Sequence, residues 1–338
     1  MDPGSLYSVI SYLAPITVSA LTTRILLKWW ISTGSKLGFT GRDMNKPGDV
    51  RVVEAGGIWV ILGAVFGILT YVAVETYTED YNGFYTYFAI SQVLLLAGLL
   101  GLMDDMLGWK KGLRKITRVM LTIPISLPIV VIREGHSTME IPLMGAVDLG
   151  VLYPLLVVPL GVMGASNAFN MIAGYNGLEG LQALLITLLT LVFAIKKGIT
   201  VVVPLLLVMA ASILFFLYYN WYPAKVFPGN TFTYGFGAFY ASLVIYGNFE
   251  KFGLAMFTLY FIELALFLRG LRDHVYKENF GIPRPSGCLD PPYSRVYSLT
   301  HLALIVVKKV KGCAREVDVV FFIALLQLAV GLLALTLL

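Results

Sequence analysis

The chain has 338 residues, 58% of them hydrophobic and only 13% charged, with 25 Lys and Arg against 20 Asp and Glu. Soluble domains carry about 25% charged residues, so this composition excludes a water-soluble fold and reads as an all-α integral membrane protein. The net charge of +5 supports no nucleic-acid function, because basic loops beside a bilayer serve orientation and attraction to anionic headgroups.

A bilayer span needs roughly 20 mostly apolar residues. In chain order, ten such runs lie near 6–27, 55–74, 84–103, 117–133, 151–166, 181–195, 199–218, 233–248, 253–269 and 319–338. They make 1–338 one polytopic membrane domain, with 270–318 a loop region before the last helix. The first run is too long for the apolar core of a secretory signal and lacks a small-residue cleavage site, so it reads as a span. Gly63 and Gly67 in the second run form a GxxxG, a helix-packing feature. Cys288 and Cys313 share the last loop with no CxxC and no neighbouring His pair, and read as free thiols.

Ten spans make the loops alternate sides, and the basic residues then choose the orientation. The loops after spans 1, 3, 7 and 9 hold 21 of the 25 Lys and Arg residues, leaving Arg133, Lys196, Lys197 and Lys251 opposite. The odd-numbered loops are therefore expected in the cytoplasm and both termini outside. Of the outer loops, ETYTEDYNGF is acidic, KKGI is a tight turn, and REGHSTMEIPLMGAVDLG reads as a small extended excursion.

Four polar clusters fall on the basic side: NKPGDVRVVEAGG from Asn45, GLMDDMLGWKKGLRK from Gly101, SNAFNMIAGYNGLEG from Ser166, and NWYPAKVFPGNTF from Asn220. Polar groups near hydrocarbon cost several kcal/mol unless they line a hydrated or protein-packed cavity. Singly, a DD at a span end is a solvated loop start about as often as a site, and YNG is most often a turn. Together they point to one shared site. Asp104 and Asp105 supply carboxylates, Asn167, Asn170, Asn176 and Asn230 neutral oxygens, and Lys46, Lys111, Lys115 and Lys225 cations. Oxygen ligands beside phosphate-binding cations suit Mg²⁺ and phosphoryl transfer. A transporter or lipid flippase is the alternative. It would place ionisable residues near mid-span and paired broken helices in two similar halves; Glu263 comes nearest, and no internal repeat is evident.

These motifs resemble, in order and spacing over roughly residues 40 to 300, the signatures of the polyprenyl-phosphate N-acetylhexosamine-1-phosphate transferases. NAFNMIAGYNGLEG and NWYPAKVFPG look like the dolichol-linked branch, and the compact chain with short loops like an archaeal member. The resemblance implies transfer of GlcNAc-1-phosphate from UDP-GlcNAc to dolichyl or another polyprenyl phosphate with release of UMP, the first step of lipid-linked oligosaccharide assembly for N-glycosylation. It implies Mg²⁺, with Mn²⁺ as the substitute, and a cytoplasmic active site in the cell membrane, or in the endoplasmic reticulum membrane if the source is eukaryotic. A homodimer is left open. Asp104 and Asp105 match the paired aspartates, Lys115 the lysine that follows them, Asn170 a metal-holding asparagine and Asn176 one that reads uracil. Glu54 matches an acidic residue on the nucleotide side, and Lys46 is grouped with it as substrate-binding.

There are two departures. The family has Gly-Asp, with the Asp a principal metal ligand, where this chain has Gly229-Asn230. Asn keeps an oxygen but loses the charge, so the favoured reading is an inactivated variant, the other being compensation by another carboxylate. In the last loop, where the family holds the diphosphate with basic residues, this chain offers Arg284 and Arg295.

Overall fold

The computed structural model describes residues 3–77, 84–108, 112, 114–141 and 145–338, with the side chains of 3–9, 115, 140 and 141 outside that description. Most of the acidic ETYTEDYNGF loop, Lys110 and Lys111 lie outside it as well. Helix α1 (Pro3–Lys36) leads into a two-stranded antiparallel hairpin, β1 (Thr40–Arg42) and β2 (Arg51–Val53), and then into α2 (Gly57–Thr76). Gly63 and Gly67 of α2 face Ser19 and Thr23 of α1, where a Cβ would collide. That is the close approach expected of the GxxxG: lipid tails are as apolar as Leu, so packing in a bilayer relies on small residues and backbone proximity. Ser19 Oγ donates to the Val208 carbonyl at 2.8 Å across the same junction.

Helix α3 (Phe84–Leu107) is followed by α4 (Lys115–Thr122), a short 3₁₀ turn at Pro124–Ser126 and α5 (Leu127–Val131). Pro124 and Pro128 break the helical ladder here, since proline lacks the N–H and clashes with the preceding turn. The predicted extended excursion is an antiparallel hairpin, β3 (Thr138–Ile141) with β4 (Gly145–Asp148). A π turn at Tyr153–Val157 runs into α6 (Val158–Phe169), followed by α7 (Leu178–Lys197) and α8 (Val203–Asn220). Next comes α9 (Gly229–Gly247), in which every residue from Thr231 to Ile245 is buried. It packs most extensively on α3 and α6, and its Phe232, Phe236 and Tyr240 join Phe169, Phe257 and Tyr260 in one aromatic stack. A helix buried on every side belongs at the centre of its fold. The chain closes with α10 (Glu250–Met256), α11 (Thr258–Arg272), the small hairpin β5 (Ile282–Pro283) and β6 (Leu289–Asp290), α12 (Leu299–Lys311) and α13 (Glu316–Leu337).

Among the described residues, six helices are long and apolar enough to cross a membrane: Ile10–Lys36, Gly57–Thr76, Phe84–Leu107, Leu178–Lys197, Thr200–Asn220 and Glu316–Leu337. The pair α10 and α11, bent by 55°, makes a seventh if counted as one span. Ten spans were expected. The other predicted runs are helical but shorter, at Ile116–Val131 and Tyr153–Phe169, or, in α9, rich in Gly, Thr and Tyr because that helix faces protein rather than lipid.

The cysteines correct the expectation of free thiols. Cys288 and Cys313 form a disulfide. Spacing along the chain hid this: β6 folds back so that the Leu289 N–H donates to the Ala314 carbonyl at 2.7 Å, leaving the two Cα atoms 5.4 Å apart, within ordinary bridging reach.

Candidate active site

One end of the molecule gathers the C-terminus of α3 and the N-termini of α2, α7, α9 and α13. The other end joins Thr86 to Glu134, Tyr153 to Glu250, and Lys196 to the Leu335 carbonyl. The four predicted clusters all lie at the first end. The segment after β2 runs beside the 226–228 stretch: Phe227 N donates to Val53 O at 2.7 Å, and Gly56 N to Phe227 O at 2.8 Å. Two helix starts, α2 and α9, are thereby held side by side, with their partial positive ends facing the tip of α3.

Asp104 and Asp105 sit at that tip. The Asn230 amide Nδ2 donates to Asp104 Oδ2 at 2.7 Å, and its backbone N–H to Asp105 Oδ1 at 2.7 Å. Thr231 donates to Asp105 Oδ2 from both its backbone N–H, at 3.0 Å, and its hydroxyl, at 2.7 Å. Asp105 therefore caps α9 from another helix, satisfying donors that a helix start leaves orphaned. Gly229, at φ +70°, makes the contact feasible, because a Cβ there would strike the Asp105 carboxylate. Asp104 is buried, with its second donor the guanidinium of Arg118 at 2.9 Å. Asn170, at the end of α6, accepts from Thr233 Oγ1 at 2.8 Å and donates to the Tyr234 hydroxyl at 3.3 Å. Asp104, Asp105, Asn170 and Asn230 are thus brought together by α9. Glu54 joins them from the α2 side: burial, and then the nearby Asp105 charge, push its carboxyl above the usual range, with Arg51 pulling the other way.

Asn176 and Lys46 come together elsewhere. The Asn176 N–H donates to Glu316 Oε1 at 2.7 Å and its amide to Asp43 Oδ2 at 3.0 Å. Lys46 pairs with Glu316 and, at 3.5 Å, with Asp43, its ammonium 4.1 Å from the Tyr222 ring centre. Asn45 donates to the Gly174 carbonyl at 2.9 Å and accepts from Gly281 N–H at 3.0 Å. The β1–β2 hairpin bridges the two groups, Glu54 following its base and Asp43, Asn45 and Lys46 lying in its loop. Lys46 is committed to a buried ion pair, which its expected substrate role did not foresee.

Arg284 and Arg295 are 57% and 63% exposed and pair locally, with Asp290 and Asp273 respectively. Lys308 also bonds Asp290 at 2.6 Å, and these bonds hold that carboxyl below its usual range. The Lys115 side chain lies outside the described atoms. Sequence reasoning missed Arg118, Thr231, Tyr234, Asp43 and Glu316 as site neighbours. Thr231 stood next to a singled-out residue, but nothing in local spacing marks Glu316, 140 residues from Asn176.

Among the described residues, no three His, Cys, Asp or Glu side chains group to hold a metal. The available donors are the Asp104 carboxylate and the amide oxygens of Asn170 and Asn230. An all-oxygen set with a single carboxylate fits Mg²⁺, which is held by one or two carboxylates and completes its shell with other oxygens from phosphates and water.

Residues 86–248 match the family model described as glycosyl transferase family 4. A protein of Sulfolobus acidocaldarius, named as a UDP-N-acetylglucosamine–dolichyl-phosphate N-acetylglucosaminephosphotransferase, is 31% identical over 331 residues, covering 97% of each chain. One of Saccharolobus solfataricus with the same name is 32% identical over 298 residues, 88% of each. A similarly named protein of Dictyostelium discoideum is 28% identical over 307 residues, 78% of this chain and 69% of its own.

Proposed function

Because the chain belongs to glycosyl transferase family 4, we propose that it transfers GlcNAc-1-phosphate from UDP-GlcNAc to dolichyl or another polyprenyl phosphate. An acceptor phosphate oxygen forms a bond to the β-phosphorus of the nucleotide sugar. The bond from that phosphorus to the bridging oxygen breaks, and UMP leaves with the oxygen. The observation that carries this reading is the convergence of Asp104 and Asp105 on Gly229-Asn230-Thr231, with Asn170 beside them.

A lipid phosphate, with a second pKa near 6, is largely dianionic at neutral pH, so deprotonation is a small part of the barrier. Juxtaposing two anions is the larger part, and it calls for fixed positive potential and alignment. Arg118 and the α9 start supply potential; Asp105 fixes the α9 start against α3. Asp104, Asn170 and Asn230 would hold Mg²⁺, or Mn²⁺, which when bound neutralises diphosphate charge. Asn176 and Glu54 belong to the nucleotide side, with Lys46 and Glu316 bracing Asn176. The excess of Lys and Arg in the loops at this end supports a cytoplasmic active site, and counting the shorter helices as spans would bring the topology to ten.

The test is UMP release from UDP-GlcNAc and other UDP-sugars with dolichyl phosphate, with and without Mg²⁺, for the unchanged protein and Asn230→Asp. Mg²⁺-dependent release selective for UDP-GlcNAc is expected. If Asn230 replaces a metal-binding Asp, the variant should be about 10²–10³ faster, the usual size of one preorganised electrostatic group. No release from either form with any UDP-sugar would sink the proposal.

A further inference from the structure

The connection from α6 to α7 carries Asn170 at one end and Asn176 at the other, with no helix or strand between them. Extended, it could hold those two residues roughly 20 Å apart, so its own chain does not set their spacing. The polar groups of its backbone are taken instead by side chains from distant elements. The Asn279 amide donates to the Met171 and Ala173 carbonyls, each at 3.0 Å. Asn45 donates to the Gly174 carbonyl at 2.9 Å, and the Gly174 N–H donates to Glu179 Oε1 at 2.9 Å. Gly174, at φ +105°, lies against the Phe280 ring, where a Cβ would collide.

Asn279 is itself held from three sides. Its Oδ1 accepts from Lys277 Nζ at 3.0 Å, and its backbone carbonyl accepts from Thr300 Oγ1 of α12 at 2.8 Å. Lys277 in turn pairs with the fully buried Glu263 of α11. Two residues on, the Gly281 N–H donates to Asn45 Oδ1 at 3.0 Å, so Asn45 bridges the 277–281 segment and the α6–α7 connection. A charged donor on the amide oxygen polarises the amide and strengthens the bonds its nitrogen donates. Asn279 therefore carries the rigidity of α11 and α12 into the connection by gripping two of its carbonyls.

Each end of the connection has supports of its own. Asn170 is held by Thr233 and Tyr234, and Asn176 by Glu316 and Asp43. What Asn279 adds is the stretch between them. Resting on the transfer reaction proposed above, we propose that Asn279 is a positioning residue that couples the metal end of the site to its nucleotide end, by fixing Asn170 and Asn176 at the separation that one bound nucleotide sugar spans. A diphosphate on the cation and a base at the other end reinforce one another only when the protein keeps both ends in place, because a loose connection must be ordered at the moment of binding.

Equilibrium binding of UDP-GlcNAc to the purified protein, in EDTA and in saturating Mg²⁺, tests this for the unchanged protein and for Asn230→Asp. Mg²⁺ is expected to tighten UDP-GlcNAc binding by a factor in the range of about 5- to 150-fold that is usual for coupled sites. Asn279→Asp keeps the size and replaces both donors with an oxygen; Asn279→Ala removes the amide without adding charge. Both should reduce the Mg²⁺ factor to about 2-fold or less while changing affinity in EDTA by no more than about 2-fold. In metal-free protein, hydrogen exchange of peptides from 170–177 should be faster in both variants, with α7 and α9 exchanging as before, which shows that the fold is kept. An equal loss of affinity with and without Mg²⁺, the mark of a merely structural residue, overturns the proposal. So does unchanged exchange at 170–177, or a Mg²⁺ factor absent from both the unchanged protein and Asn230→Asp. Each of those failures leaves the transfer reaction to stand on UMP release. Coupling that depends on residue 279 without UMP release from either protein would overturn the transfer reaction and leave this role standing, and no UDP-GlcNAc binding by either protein would overturn both.

Discussion

At residue 230 a single atom separates two behaviours. The Asn230 amide donates to Asp104; a carboxylate there would instead face Asp104 as a like charge, which is destabilising unless a cation intervenes. Asn230→Asp should therefore unfold at a lower temperature than the unchanged protein in EDTA, and millimolar Mg²⁺ should raise its midpoint by more. An equal Mg²⁺ response in both proteins would remove residue 230 from the metal shell. Asp105 calls for a different outcome. Asp105→Ala strips the N-terminal donors of α9 of their acceptor and should cost about 1–3 kcal/mol in denaturant unfolding with or without Mg²⁺. Glu54 carries the opposite sign. Its folded carboxyl is raised, so the native state binds more protons than the unfolded one, and stability falls as pH rises from the ordinary Glu range through the folded value. Glu54→Gln should accordingly be stabilising at pH 8 relative to pH 4.5, and a gain of equal size at both values would contradict the assignment.

At the scale of elements, α12 is held by groups that the span pattern does not suggest. Glu263 of α11, fully buried, pairs with Lys277 and accepts from the Leu299 N–H at 2.7 Å and Ser298 Oγ at 3.2 Å. The mid-span acid that most resembled a transport residue is thus the anchor for the start of a helix. Removing one partner of a buried pair costs about 3–5 kcal/mol, so Lys277→Met should destabilise far more than the double change Lys277→Met with Glu263→Gln. Thermal unfolding of the two variants decides it. His301, one turn into α12, faces the Glu278 carbonyl at 2.8 Å. Burial, with Lys277 nearby, pulls its imidazole down to about 4 against the pull of that hydrogen bond. The unfolded state then binds the extra proton between pH 6.5 and 4, so stability contributed by neutral His301 is present above 6.5 and is lost progressively down to about 4. His301→Gln should flatten the pH dependence of unfolding in that window.

At the scale of the molecule, the disulfide and the basic loops make a joint prediction. Cys288–Cys313 closes a loop of 25 residues, for which chain entropy gives about 3 kcal/mol. Replacing both with Ser should lower stability by about that amount, and a strong reductant should do the same to the unchanged protein. In that cysteine-free background, a Cys at Lys196 should react with an impermeant thiol reagent from outside intact cells, whereas one at Gly287 should react only after the membrane is opened. The reverse pattern would invert the orientation read from Lys and Arg.

The sequence by itself determined the membrane class, the helical runs, and the residues that α9 brings together, because hydropathy and polar groups beside hydrocarbon are local signals. The GxxxG of α2 was legible for the same reason. Three features were decided only by tertiary structure. Arg118 is an ordinary basic residue in a loop count until α4 turns it onto Asp104. Lys46 and Asn176 share no local signal, and only Glu316, from the far end of the chain, shows that they belong to one group by engaging both. Cys288 and Cys313 were unpaired by spacing and bridged by the folding of β6 against Ala314. In each case the partner lies on another element, and the burial that forces charges and thiols to find partners exists only once the helices have packed.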